Sequence, residues 1–131
     1  MRSITSVLAF GLFLWPAGNG VAQPATQFNV KSFGSVGDGQ RTDTEAINKA
    51  IQAASDAGGG TVLVPAGTYV SGTIRLQNNV TLWIDAGATI LGTKNLADYR
   101  WPEGGREWDG SIILANGVHN AALMGRGTIS G

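Results

Sequence analysis

The chain has 131 residues, of which 14% are charged and 43% hydrophobic, with 20 glycines, no cysteine and a formal net charge of zero. That length holds one domain with a modest core, and a glycine-rich, sparsely charged composition suits a turn-rich β protein better than a helical one. The absence of a basic run argues against nucleic acid or an anionic membrane as partner, and the absence of cysteine excludes disulfides, thiolate zinc sites, a thiol nucleophile and a lipidated cysteine.

Met1 to Ala22 reads as a leader rather than as part of the fold. Arg2 supplies a positive start, Ile4 to Trp15 an apolar run of 12 residues, and Gly20-Val21-Ala22 a small-x-small cleavage site. A membrane-spanning helix needs roughly 20 apolar residues, so this run is too short. The expectation is an exported protein, secreted or periplasmic, that starts near Gln23 and has no membrane contact after cleavage. Its net charge would be about −1.

Gln27 to Phe33 alternates, with Phe28, Val30 and Phe33 apolar, and predicts a short opening strand. Gly34 to Gln40 reads as a turn cluster, tightest at Asp38-Gly39. It lacks both the spacing of a dinucleotide loop and the Lys-Ser/Thr pair of a phosphate loop. Thr42-Asp43-Thr44-Glu45 fits a capping box. Behind it, Ile47, Ala50, Ile51 and Ala54 make one apolar helical stripe that ends at Gly58. Residues 23–58 are therefore expected to supply an opening strand, a turn and a helix that caps the rest of the chain.

From Gly59 onward the sequence is repetitive. Thr73 to Gly92 recurs as Ser111 to Gly131, with Ile74 over Ile112, Leu76 over Leu114, Asn78 over Asn116 and Val80 over Val118. After one extra residue, Thr89-Ile90-Leu91-Gly92 falls on Thr128-Ile129-Ser130-Gly131. Gly59 to Gly72 repeats the back half at a shift of 20, with Val62 on Leu82, Val64 on Ile84, Gly67 on Gly87 and Val70 on Ile90. Period-two runs stop at Pro65-Ala66-Gly67 and Asp85-Ala86-Gly87. Asn78-Asn79, with Asn116-Gly117 as its counterpart, forms another corner suited to left-handed backbone. Three short strands and three corners in about 20 residues describe one coil of a parallel β-helix. A leucine-rich repeat fits less well, because Val80 to Leu91 returns through strand, turn and strand.

Lys94 to Gly110 matches neither copy and reads as a loop inserted between two coils. It carries Tyr99, Trp101, Trp108 and the carboxylates Asp98, Glu103, Glu107 and Asp109. The acidic residues read as solvated loop positions. Trp83 alternates outward from Leu82 and Ile84 and is expected under the insertion, whereas His119 reads as an ordinary corner residue.

Phe33-Gly34-Ser35-Val36-Gly37-Asp38-Gly39, then Thr42-Asp43-Thr44, then GGGTVLVPAGTYVSGTI, resembles the start of pectin-degrading β-helix proteins. NVTLWIDAGATILG, the aromatic insertion and SIILANGVHNAALMGRGTISG are similar to glycoside hydrolase family 28, the polygalacturonases. The resemblance implies an all-β, right-handed parallel β-helix with an N-terminal capping helix. It also implies inverting hydrolysis of α-1,4-galacturonosyl linkages by paired aspartates, with no metal and no cofactor. The family's motifs Asn-x-Asp, Asp-Asp, Gly-His-Gly and Arg-x-Lys are absent from this sequence, so no catalytic residue carries over. The expectation is the N-terminal part of a longer enzyme, or a C-terminally truncated gene product, inactive by itself and monomeric when full length. Its partner would be a pectic polysaccharide. Within the insertion, Tyr99, Trp101 and Trp108 are candidates for stacking on sugar rings, and Arg100 and Arg106 for meeting galacturonate carboxylates. A calcium-dependent pectate lyase and a non-catalytic carbohydrate-binding or tailspike-like module are the alternatives.

Overall fold

The computed structural model describes residues 26–99 and 110–131. The expected leader, residues 1–22, lies outside them. No helix among the described residues is long and apolar enough to cross a membrane.

The chain winds through three parallel sheets. Strands β3 (Gly60–Val64), β4 (Gly67–Ser71) and β5 (Ile74–Arg75) make one coil, and β6 (Val80–Ile84), β7 (Ala88–Gly92) and β8 (Ile113–Leu114) make the next. A third coil begins with β9 (Ala122–Gly125) and β10 (Thr128–Ser130). Ahead of them stand β1 (Gln27–Asn29), β2 (Asp38–Thr42) and the helix α1 (Thr44–Asp56). The first sheet runs β1-β3-β6-β9, the second β2-β4-β7-β10 and the third β5-β8. Every pairing is parallel. The expected parallel β-helix is therefore the fold, and α1 stands where the third sheet would have had its first strand.

Inward positions stack into ladders that form the core. Val62 lies under Leu82 and Val64 under Ile84, as the shift of 20 required. The second sheet departs from that shift: Tyr69, not Val70, lies under Ile90. The corner Asp85-Ala86-Gly87 holds one residue more than Pro65-Ala66, and one residue in a strand exchanges inside for outside. Tyr69 is accordingly buried and Val70 only half-buried.

The two longer copies also register differently from their sequence alignment. Ile74 pairs with Ile113 rather than Ile112, and Thr81 pairs with Ala122, which places Val118 in the corner instead of under Val80. The counterpart of Asn79 is Asn120, since both have left-handed backbone (φ 64° and 56°) and the Asn120 Nδ2 donates to the Asn79 Oδ1 at 3.1 Å. The His119 N–H donates to the Asn78 Oδ1 at 2.9 Å. Stacked asparagines fix this corner, and the lengthened second copy loops out before it.

The N-terminal segment also differs from the sequence reading. The opening strand stops at Asn29, whose side chain accepts the Lys31 N–H at 2.9 Å and turns Val30–Phe33 into a 3-10 helix. Asp38-Gly39 opens β2 instead of tightening a turn. The capping box does not form. Thr42 ends β2, and the N-cap is Asp43, which makes no side-chain bond to the helix. Its buried carboxylate instead accepts from the Val36 and Gly37 N–H groups at 2.9 and 3.0 Å. A loop with two free donors and no other acceptor outcompetes the cap.

The apolar stripe of α1 is as expected: Ile47, Ala50, Ile51 and Ala54 are fully buried against the first coil. The helix ends where Gly58 N–H meets the Ser55 carbonyl and Gly59 N–H the Ala54 carbonyl, with Gly58 at φ 94°. These are the paired bonds of a Schellman C-terminus.

Candidate functional site

The insertion leaves the solenoid at the corner between the second and third sheets and returns at the same corner. Its outgoing limb is fastened by a series of bonds. The Asn95 side chain accepts the Ala97 N–H at 3.2 Å and starts a 3-10 turn over Leu96–Asp98. The Asp98 carbonyl accepts the Thr73 N–H at 3.2 Å. Gly72 permits this seat, since a Cβ there would fall on the Asp98 backbone. The incoming limb is held by the Ile112 carbonyl, which accepts the Ile74 N–H at 2.7 Å.

Tyr99 belongs to this base. Its half-buried ring places the hydroxyl so that it donates to the Thr93 carbonyl at 2.8 Å, and a Cβ on Gly92 would come within 2.8 Å of that oxygen. Tyr99, one of the residues expected to stack on sugar, thereby ties the loop to the residue that follows β7. Arg100, Trp101, Arg106 and Trp108, the other four candidates, lie outside the described residues.

Trp83 sits elsewhere. It lies on the outer side of the first sheet in one row with Leu63 and Met124, and its indole N–H reaches the Asp85 carboxylate at 3.4 Å. The described limbs of the insertion stand at the corner formed by the other two sheets.

Between α1 and the third sheet runs a groove of about 590 Å³, bordered by Glu45, Asn48, Gln52, Arg75, Gln77 and Asp98. Its lining combines amides, two carboxylates and one guanidinium, a set able to donate to and accept from adjacent hydroxyls. Asn48 is committed to the backbone of β5. Among the described residues no hydrogen bond or ion pair engages the Arg75 side chain, and Glu45 has only an exposed contact with Lys49 at 4.0 Å. The sequence alone does not announce this groove: Glu45 falls within the expected capping box, and Asn48 and Gln52 carry no expected role. The only signal available was that this polar side recurs with the period of the buried one.

A second cluster, also unpredicted, closes the N-terminal loop. The Tyr69 hydroxyl donates to the Pro65 carbonyl at 2.7 Å, the Lys31 ammonium lies 5.8 Å from the Tyr69 ring centre, and Lys31 donates to the Val36 carbonyl at 2.9 Å. Burial, and after it the Asp43 charge, pushes the Tyr69 phenol above its ordinary pKa. The exposed Asp38 carboxyl is held below its ordinary value by the N–H groups of Gln40 and Arg41. These groups brace the loop; none lines the groove. Among the described residues no group of His, Cys, Asp or Glu is placed to hold a metal ion.

The family model described as rhamnogalacturonase A/epimerase, pectate lyase-like, matches residues 27–101. An exo-poly-alpha-D-galacturonosidase from Dickeya chrysanthemi is 42% identical over 71 residues, which cover 54% of this chain and 12% of that protein. The mannuronan C5-epimerase AlgE3 from Azotobacter vinelandii is 65% identical over 46 residues, 34% of this chain and 2% of that one. Among solved structures, the family 28 exopolygalacturonase of Yersinia enterocolitica superposes with a TM-score of 0.68 at 32% identity, covering 81% of this chain and 21% of that one. The chain thus spans about an eighth of the galacturonosidase and a fifth of the exopolygalacturonase structure. The matched segment contains the braced loop, the capping helix and the first coil, and by this match the chain belongs to the rhamnogalacturonase A/epimerase, pectate lyase-like family.

Proposed function

We propose that this chain forms the first coils of an enzyme that hydrolyses α-1,4-galacturonosyl linkages in pectin, with inversion between paired aspartates contributed by sequence other than these residues. One observation carries the reading: the 42% identity to an exo-poly-alpha-D-galacturonosidase extends over 71 residues, more than half of this chain. These coils act as scaffold, and the insertion at residues 94–110 borders the substrate. The experiment is an assay of the protein made from the intact gene. Polygalacturonate should yield new reducing ends, without the ultraviolet absorbance of an unsaturated uronate and with no loss on chelation of calcium. Absorbing, calcium-dependent products would mean a lyase, and a reading frame lacking Asp-Asp and Gly-His-Gly after the Gly131 codon would sink the hydrolase.

A second reading has its own support. The 65% identity to a mannuronan C5-epimerase lies over 46 residues, and epimerisation of a uronate at C5 would leave the polymer length unchanged. Incubation with mannuronan, followed by NMR of the product, separates epimerisation from cleavage. We also propose that residues 1–22 direct export. An exported protein whose first residue lies near Gln23 supports this, and one retained in the cytoplasm with its N-terminus intact contradicts it.

A further inference from the structure

A parallel strand laid beside β5 would bridge Ile74 through two bonds. It would donate one N–H to the Thr73 carbonyl and accept the Arg75 N–H on one carbonyl. On one side β5 has such a neighbour, since Ile74 is paired with Ile113 of β8. On the other side the first coil meets α1, and no strand among the described residues is paired there. The Asn48 carboxamide makes both bonds instead: its Nδ2 donates to the Thr73 carbonyl at 3.0 Å and its Oδ1 accepts the Arg75 N–H at 2.8 Å. A side-chain amide carries the same donor and acceptor as a peptide group, so Asn48 reproduces a parallel bridge to Ile74 from a helix. One turn earlier, the Thr44 Oγ1 accepts the Gly72 N–H at 2.8 Å and extends the arrangement along the chain.

We propose that Asn48 is a surrogate strand residue, whose amide closes the open edge of the third sheet and pins β5 in place. The short β5 needs such a pin. It comprises two residues, one of them exposed, and both limbs of the insertion hang from its other side through Asp98 and Ile112. Unpaired backbone groups at a sheet edge also offer a template to foreign strands, which the amide removes. Among the side chains of α1, Asn48 alone bonds both a carbonyl and an N–H of this edge.

The test compares Asn48→Leu and Asn48→Asp with the parent, all made from the intact gene. Hydrogen exchange is followed on short peptides around Arg75, and each rate is referenced to its unprotected rate at the same pH. Asn48→Leu keeps the shape and loses both bonds, so protection at Arg75 should fall about tenfold while that of Leu82 and Ile90 stays within about twofold. Protection at Arg75 within about twofold of the parent would overturn the proposal. Should Asn48→Leu not fold, Asn48→Asp decides. Its ionised carboxylate accepts from Arg75 but repels the Thr73 carbonyl, whereas the neutral acid donates and accepts as the amide does. Protection at Arg75 in Asn48→Asp should therefore rise several-fold as the pH falls toward the carboxylate range. A pH-independent value equal to the parent's would overturn the assignment.

Discussion

Two successive coils of the solenoid contain equivalent residues in different surroundings among the described residues. Leu82 and Leu123 are consecutive steps of one inward ladder, as are Ile90 and Ile129 of another. Leu82 and Ile90 are fully buried, whereas Leu123 keeps 44% and Ile129 38% of its surface exposed. Among the described residues the first pair has a coil on both sides, and the second pair has one on a single side. Burial in a solenoid is therefore supplied by the neighbour rather than by the residue. The N-terminal end meets the same requirement with α1, whose apolar stripe covers the first cross-section and whose Asn48 and Thr44 complete the hydrogen bonding of β5 and Gly72. Apolar cover and polar satisfaction are separate tasks there, performed by adjoining rows of one helix face.

This difference can be tested from either end. The largest effect should come from Leu82→Ala, which opens a cavity between packed coils and costs about 3 kcal/mol. Leu123→Ala, one step along the ladder, should cost less than about 1 kcal/mol where no further coil stacks on β9. Denaturant unfolding measures both, and equal costs would mean that Leu123 is covered in solution. Next is Asp43→Ala at the closed end, which leaves the Val36 and Gly37 N–H groups without their acceptor and should cost about 2 kcal/mol. Gly72→Ala drives a methyl into the Asp98 backbone. We expect a loss of about 1–2 kcal/mol, together with faster proteolysis within residues 94–110. A global loss with the insertion still protected would show that the loop is not seated on Gly72.

A smaller effect than that of Asp43→Ala belongs to Tyr69→Phe, at about 1 kcal/mol near neutral pH, for the bond to the Pro65 carbonyl. Its pH dependence is the more telling part. The Tyr69 pKa is raised in the fold, so the native state holds its phenolic proton more tightly than the unfolded chain does. That contribution is fully present below the ordinary tyrosine value of about 10 and is lost as pH rises through the folded value. The alkaline decline in stability should therefore be shallower in Tyr69→Phe than in the parent. An unchanged slope would place the buried phenol in contact with water.

Much of this architecture was legible in the order of residues, since a period of two punctuated by glycine and asparagine corners requires stacked strands. The helix stripe was equally plain, because Ile47, Ala50, Ile51 and Ala54 have no other use for their spacing. The errors all arose at corners and caps. Val70 aligns with Ile90 in sequence because both are β-branched, yet the longer Asp85-Ala86-Gly87 corner gives that place to Tyr69. Asn116 aligns with Asn78, while the pairing that sets the corner is between Asn79 and Asn120. The capping box at Thr42 obeyed the local pattern and lost to a loop six and seven residues upstream of Asp43. Such choices depend on groups distant in sequence. The bond of the Tyr99 hydroxyl to Thr93 likewise had no local signal. For the groove beside α1, no residue type distinguished a lining position from a solvated one.

The corners have one more consequence. Residues paired across the first sheet are 20 positions apart at Val62 and Leu82, while those across the second are 21 apart at Thr68 and Thr89. At the next step the separations become 41 for Leu82 and Leu123 and 39 for Thr89 and Thr128. Each corner thus absorbs a length change that the following strand does not inherit. Insertions and deletions there alter the surface while the ladders beneath stay aligned. In this architecture the lineage can experiment with loops at little risk to the core, and the place to look for divergence between related enzymes is the corner after β7.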